Sequence, residues 1–127
     1  MDETQKKEII QKYISSYNSF DIEGMLSTIH DDIKFKNISN GDITAKATNI
    51  EEFKNLALQA KAIFKDRKQK IDSIEFNKEK TIINISYQGV LAIDLPNGPK
   101  AGQPLILEGK SEFCFKDNKI SELTDIG

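Results

Sequence analysis

Leu105-Ile106-Leu107-Glu108-Gly109-Lys110-Ser111-Glu112-Phe113-Cys114-Phe115-Lys116 decides how this chain folds. Alternate positions differ in character. Leu105, Leu107, Gly109, Ser111, Phe113 and Phe115 form one set; Ile106, Glu108, Lys110, Glu112, Cys114 and Lys116 form the other. A period of two marks a strand with one face on a core and one toward water. The first set is the inner face. Upstream, Thr81 to Leu95 repeats the alternation, with Ile83, Ile85, Tyr87, Gly89, Leu91 and Ile93 inward. Pro96-Asn97-Gly98-Pro99 between them has the residues of a hairpin loop. Lys116-Asp117-Asn118-Lys119 turns the chain into a last strand, Ile120 to Ile126. Lys70 to Phe76 reads as a strand joined to the next through Asn77-Lys78-Glu79-Lys80. Strands joined by such short turns pair antiparallel.

The N-terminal half has a different period. Ile9, Ile10, Tyr13, Ile14, Tyr17 and Phe20 recur every three or four residues, which is the stripe of an amphipathic helix capped by Asp2. Asp21 is a good cap for a short second helix carrying Met25, Leu26 and Ile29, with Phe20 and Met25 spaced as a hydrophobic staple. His30-Asp31-Asp32 ends that helix, and His30 in its last turn complements the helix dipole. Ile33 to Ile38 alternates as a strand with Ile33, Phe35 and Asn37 inward, and Ser39 to Asp42 turns. Thr48-Asn49-Ile50-Glu51 has the spacing of a capping box. It opens a third helix with Phe53, Leu56, Ala57, Ala60, Ile63 and Phe64 on one face. Helices first and strands after is the α+β pattern. With no linker or repeat, residues 1–127 read as one domain.

Composition narrows the function. The 127 residues are 38% hydrophobic and 30% charged, with a net charge of −2. No strong positive field is available for nucleic acid or an anionic membrane. The basic run Lys61, Lys65, Arg67, Lys68, Lys70 lacks interleaved aromatics beyond Phe64 and reads as a solvated edge. One cysteine, Cys114, has no internal disulfide partner and points to the outer face. One histidine, His30, rules out a multi-histidine metal site. No metal or cofactor is expected. No apolar run spans a bilayer, and Met1 to Lys7 carries no apolar leader core, so the cytoplasm is the expected location.

Three polar residues sit on apolar faces: Asn37, Ser111 and, if Leu123 is inward, Asp125. Buried polar groups need partners. These bond to one another or to the backbone, or they line a cavity. Tyr13 and Tyr17, one turn apart on the first helix, are either core aromatics or cavity donors. Ser111 also suits a small residue filling tight space, and Asp125 also suits an exposed carboxylate near the chain end.

The stretches Ile10 to Tyr13, Tyr17 to Met25, Asp31 to Phe35, Thr48 to Phe53 and Gly109 to Ile120 resemble the nuclear transport factor 2-like superfamily, in its SnoaL-like and ketosteroid isomerase-like branch. The resemblance spans nearly the whole chain. It implies a cone: three N-terminal helices packed on a strongly curved, mostly antiparallel sheet, with a ligand cavity between them. The superfamily holds isomerases, cyclases, dehydratases, hydrolases and binding domains, so fold alone does not select an activity. In the isomerases the helix-one tyrosine falls on Tyr13, the general-base aspartate on Asn37 and the proton-donating aspartate on or near Ser111. An amide cannot take a carbon-bound proton near neutral pH, and a serine is a far weaker acid than a tuned carboxyl. Ketosteroid isomerase chemistry is therefore disfavoured. An acidic residue on the last strand of SnoaL-like cyclases is matched in position by Asp125.

The expected function is binding of a small apolar or weakly polar molecule. Its cavity would be lined by Tyr13, Tyr17, Phe35, Asn37, Phe53, Tyr87, Ser111 and Phe113. One alternative is an isomerase- or polyketide-cyclase-like enzyme using Tyr13 as donor and Asp125 as acid/base. Another is a protein-interaction accessory domain. Many relatives are dimers, and Ile82, Val90, Ala92, Ile106 and Cys114 put apolar groups on the outer sheet face among charges. A homodimer through that face is expected.

Overall fold

The computed structural model describes residues 1–96 and 98–127. Its elements in chain order are α1 (Glu3–Asn18), α2 (Ile22–Leu26), β1 (Ile29–Ser39), β2 (Asp42–Ala47), α3 (Ile50–Ile63), β3 (Phe64–Phe76), β4 (Thr81–Leu91), β5 (Pro104–Lys116) and β6 (Lys119–Ile126). The strands form a six-stranded curved sheet, ordered β2-β1-β6-β5-β4-β3, that does not close on itself. Every neighbouring pair is antiparallel except β1 with β6. α1 lies against β3, and α3 lies against β1 and β2. The core fills the space between, with Ile10, Ile14, Met25, Ile33, Phe53, Ile83, Phe113 and Leu123 buried in one cluster. Among the described residues no helix is long and apolar enough to cross a membrane.

Local chemistry fixes the helix starts. Asp2 and Gln5 exchange side-chain and backbone hydrogen bonds at the head of α1. Asp21 caps α2 through Gly24 N at 2.9 Å. For α3 the cap is Asn49, not Thr48. Asn49 Oδ1 accepts from Glu52 N, and Glu52 reaches back to Thr48 N and Oγ1. The cap falls one residue later because Asn, beside Thr, is the better N-cap.

Other boundaries also move. His30 belongs to β1, not to a helix end. Its Nδ1 accepts from Asp32 N, and its Nε2 lies 3.2 Å from Asp117. Asp42, expected in the turn, opens the edge strand β2, which runs on through 43–47, a segment that carries no strand pattern. The third helix stops at Ile63, and Phe64 opens β3, six residues ahead of the expected Lys70. β4 ends at Leu91, so Ile93 is not an inward strand position and is 48% exposed. The turn expected at Pro96 to Pro99 is seen in Leu95 N donating to Pro99 O, while Asn97 lies outside the described residues.

The strand parity is reproduced in the pairing. Ile83 sits opposite Ser111, Ile85 opposite Gly109 and Tyr87 opposite Leu107. Ser111 in turn sits opposite Asp125, and Asp125 beside Asn37. Asn37, Asp125, Ser111 and Ile83 are therefore one row across four strands on the inner face. Gly109 is required in the next row, because a Cβ there would meet Ile126 O at 2.7 Å.

One prediction fails outright. Arg67 is not on a solvated edge: it is 2% exposed, on the inner face of β3 opposite Gly89. Its Nε donates to Tyr17 O at 2.9 Å, and its guanidinium lies 3.7 Å from the Tyr17 ring centroid and 4.5 Å from that of Phe20. α1 has no basic residue in its last turn. Arg67 supplies that charge from the neighbouring strand, where the dipole favours a cation. Asn18 completes the junction, with its amide bonding both Gln69 N and Gln69 O on the free edge of β3.

Candidate functional site

The open end of the cone contains a cavity of about 380 Å³ between α1, α3 and the inner sheet face. Its apolar wall comes from Ala60, Phe64, Ile85, Leu105 and Leu107. Polar groups stand at two ends. Tyr17, Gln69 and Tyr87 are at one, and Asp125, Asn37 and Ser39 at the other. The separation follows from the ladder. Tyr87 pairs with Leu107 and Asp125 with Ser111, four residues further along β5, which is about 13 Å of strand. Glu108 and Lys110 also border the cavity.

Asp125 is the carboxyl of this cavity that its surroundings perturb. Protein crowds its carboxyl although the residue keeps partial exposure. Burial raises its pKa from the usual 3.8 to about 6, and Ser111 opposes this by donating to it at 2.6 Å. A carboxyl poised there both gives and takes protons near neutral pH. Beside it, Asn37 Nδ2 donates to Thr44 Oγ1 at 2.8 Å and Ser39 Oγ at 3.3 Å. The side-chain oxygen of Asn37 takes no part in these bonds.

At the other end the Tyr17 and Tyr87 hydroxyls are 2.9 Å apart. One donates to the other, so one proton of the pair remains for a third group. Burial raises both pKa values and keeps the pair protonated. The rings are fixed by edge contacts, Tyr17 on Tyr87 and Phe64 on Tyr87, with centroids 6.3 and 5.9 Å apart. Phe64 reaches this position because residue 89 is glycine; a Cβ there would meet its ring at 2.9 Å.

The expected lining divides. Tyr17, Asn37 and Tyr87 border the cavity, and Asp125, expected only as a catalytic candidate, borders it too. Tyr13, Phe53, Ser111 and Phe113 are buried in the core instead, and Phe35 packs partly buried against it. Tyr13 is held against Phe53 and Phe113, and its hydroxyl is raised well above its usual pKa by burial, then by the Asp125 charge. It is a weaker candidate donor than the Tyr17–Tyr87 pair. The reason is depth: Tyr13 is 5% exposed within the core cluster, whereas Tyr17 and Tyr87 keep partial exposure beside the cavity. Ser111 still acts on the site through Asp125. Gln69 and Arg67 were missed because a buried polar face on a strand reverses the usual pattern. On the outer face, Cys114 donates weakly to Glu79 O at 3.6 Å, and burial pushes its thiol up to about 11. It is not an activated nucleophile.

No family model matches the sequence, and no curated protein matches it. Solved structures do. A "putative polyketide cyclase" from Xanthomonas campestris pv. campestris superposes with a TM-score of 0.81 at 18% identity, covering 98% of this chain and 90% of that one. A "putative SnoaL-like polyketide cyclase" from Jannaschia sp. CCS1 gives 0.80 at 13%, covering 97% and 85%. An uncharacterised cystatin-fold protein from Novosphingobium aromaticivorans gives 0.71 at 16%, covering 94% and 96%. At such identities the likeness speaks for the fold. The chain therefore shares the fold of these SnoaL-like and cystatin-fold structures, the fold that the sequence resemblance implies.

Proposed function

We propose that this chain binds a small, largely apolar molecule in the cone cavity, oriented by the Tyr17–Tyr87 hydroxyls at one end and by Asn37 and Asp125 at the other. The observation that carries the reading is the cavity itself: about 380 Å³, with an apolar middle and few convergent polar groups, the usual make-up of a small-molecule site. An accessory domain with a relic pocket would have this space filled by side chains. The test uses the tyrosines. The chain has three and no tryptophan, so its intrinsic fluorescence reports on this region. A screen of flat, weakly polar compounds should return ligands that change that emission and raise the melting temperature. Ala60→Trp, which fills the cavity, should abolish both effects. Ligands that bind equally well to Ala60→Trp refute the site.

A second reading is favoured by Asp125: an acid/base enzyme of the isomerase or cyclase kind. Asp125 would exchange a proton with the bound molecule, and the Tyr17–Tyr87 pair would polarise it in place of Tyr13. Several structural neighbours are named as polyketide cyclases, in keeping with this chemistry. Exchange of a carbon-bound proton of a bound ligand in D₂O should be fast in the native protein. In Asp125→Asn it should fall to the buffer rate with affinity retained. Exchange that is unchanged in Asp125→Asn refutes the catalytic role.

A further inference from the structure

Two features of β3 stand apart from the cavity: the strand ends the sheet, and Asn18 is fastened to its open side. β3 is 13 residues long and pairs with β4 alone among the described strands, so one side of its backbone meets no strand. An edge of that length is a template for another strand. At Gln69 a side chain takes that strand's place. Gln69 N donates to Asn18 Oδ1 at 2.7 Å, and Asn18 Nδ2 donates to Gln69 O at 3.0 Å. One amide thus makes the two bonds that a residue of a paired antiparallel strand would exchange. Beyond Gln69 the helix does not close over the edge. A groove of about 450 Å³ lies between α1 and β3, bordered by Gln11, Ser15, Asn18 and Ile71. The ladder to β4 slips between Ile71 and Ser73, which leaves Asp72 as a bulge.

We propose that the free edge of β3 is a self-pairing surface, fitted to the same strand of a second copy running antiparallel, and that Asn18 is the latch that keeps it shut. The order of charges along β3 selects the partner. On its outer face, opposite Gln88, Ser86 and Ile82 of β4, Lys68 and Lys70 precede the bulge and Glu75 follows it, all three exposed. A two-fold axis through the bulge sets Lys68 opposite Glu75 of the second copy, and Lys70 opposite its Ser73. The same register sets Gln69 opposite Ile74 and Arg67 opposite Phe76 on the inner face, so both faces match. With Gln69 opposite itself instead, Lys68 would meet Lys70, a like-charge pair that opposes pairing. A strand of different charge order has no such complement. The Gln69–Ile74 position occurs twice across the axis, once in each copy. Asn18 occupies Gln69 at both, so the latch closes the surface from both sides.

The test compares the full chain with Asn18→Ala by light scattering over one concentration series. The wild type sets the baseline, so association through the outer sheet face cancels. At the highest concentration Asn18→Ala should have at least about twice the wild-type mass and return toward it on dilution. When dilute, its Gln69 amide should exchange in D₂O about tenfold faster than in the wild type, through loss of the bond to Asn18. Adding Glu75→Lys to Asn18→Ala sets lysine against Lys68 and should restore the wild-type mass. Adding Lys68→Glu as well should raise the mass again, a reversal that loss of a junction contact does not produce. Should Asn18→Ala fail to fold, Asn18→Ser, too short to hold both backbone groups of Gln69, carries the same comparison. A mass that stays at the wild-type value in the folded variant, even with faster exchange at Gln69, overturns the proposal. A rise in mass that Glu75→Lys leaves in place overturns it too, because an edge that sticks without regard to charge order is not fitted to its own copy.

Discussion

Replacing Asp125 by Asn should stabilise the folded chain at neutral pH and not at acid pH. Asn keeps the shape and an oxygen to accept from Ser111, and removes only the charge. The wild-type carboxyl titrates at about 6 when folded against an ordinary 3.8. At about 1.4 kcal/mol per pH unit, full ionisation of the buried group costs up to about 3 kcal/mol. Partial exposure of the residue lowers this, so about 1–3 kcal/mol is expected. The sign follows from which state holds the proton more tightly. The folded chain does, so this group's penalty is absent below about pH 4, grows as pH rises through 6 and is constant above. The assay is thermal melting by circular dichroism of both proteins across that range. Their melting temperatures should coincide near pH 4 and separate at pH 8 by about 3–10 °C, with the variant higher. Ser111→Ala, which removes the donor that favours the anion, should move the wild-type transition to higher pH. A difference that does not change with pH, or a variant that is less stable than wild type at pH 8, refutes the account of Asp125.

Arg67→Ala should cost about 2–4 kcal/mol in urea unfolding, through a cavity beneath Tyr17 and loss of the cation at the end of α1. Arg67→Met should cost less than about 1 kcal/mol, because the unpaired charge leaves with its side chain. Light scattering should give a homodimer that Ile106→Asp converts to a monomer. Ile106 is 74% exposed on the outer face, and Glu112 there is already paired with Lys80 and Lys110 within the chain. A monomer mass for the wild type would end that expectation. A Δ5-ketosteroid should not be turned over above the buffer rate. Asn37→Asp, which places a second carboxyl beside Asp125, should give measurable proton transfer if the cavity admits the steroid.

The sheet was legible because its central strands obey a simple rule. β4 and β5 alternate without interruption, so their inner face, with Ile83 and Ser111 on it, could be written from the sequence, though their register could not. The row's extension to Asp125 and Asn37 needed the parallel pairing of β1 with β6, which joins the two ends of the sheet and leaves no local mark. β2 was hidden by its position. It is an edge strand, and its one large apolar residue, Ile43, is 58% exposed, so nothing in its pattern points to a core. The error at Arg67 has a different cause. In Phe64-Lys65-Asp66-Arg67-Lys68-Gln69-Lys70 the inward positions are Arg67 and Gln69, and no hydrophobic periodicity can separate them from their solvated neighbours. What buries them is tertiary: the end of α1 lies over β3, where Tyr17, Asn18 and Phe20 receive them. The depth of the cavity was misjudged for a similar reason. Parity says which face a residue is on, not whether a helix covers it, and so Phe53 and Phe113 went to the core while Tyr17 and Tyr87 stayed at the opening.

Asp125 and Arg67 are the two charged groups that folding least accounts for. They have opposite charges and do not pair: Asp125 borders the cavity, while Arg67 lies outside its lining, against Tyr17. The apolar wall of Ile85 and Leu107 lies between the tyrosine end and the Asp125 end. Had these charges served stability alone, a direct ion pair or a hydrophobic replacement at either position would be the lower-energy solution. Held apart, they leave opposite charges toward the two ends of the cavity, in keeping with the proposed small-molecule site. Charges kept unpaired at a cost to stability are what a functional site looks like from the standpoint of folding. One hydroxyl proton of the Tyr17–Tyr87 pair is left over, so a ligand of the proposed site should place an acceptor there. Its binding should weaken as Asp125 ionises above about pH 6, unless the group it presents there is a donor that Asp125 can hold.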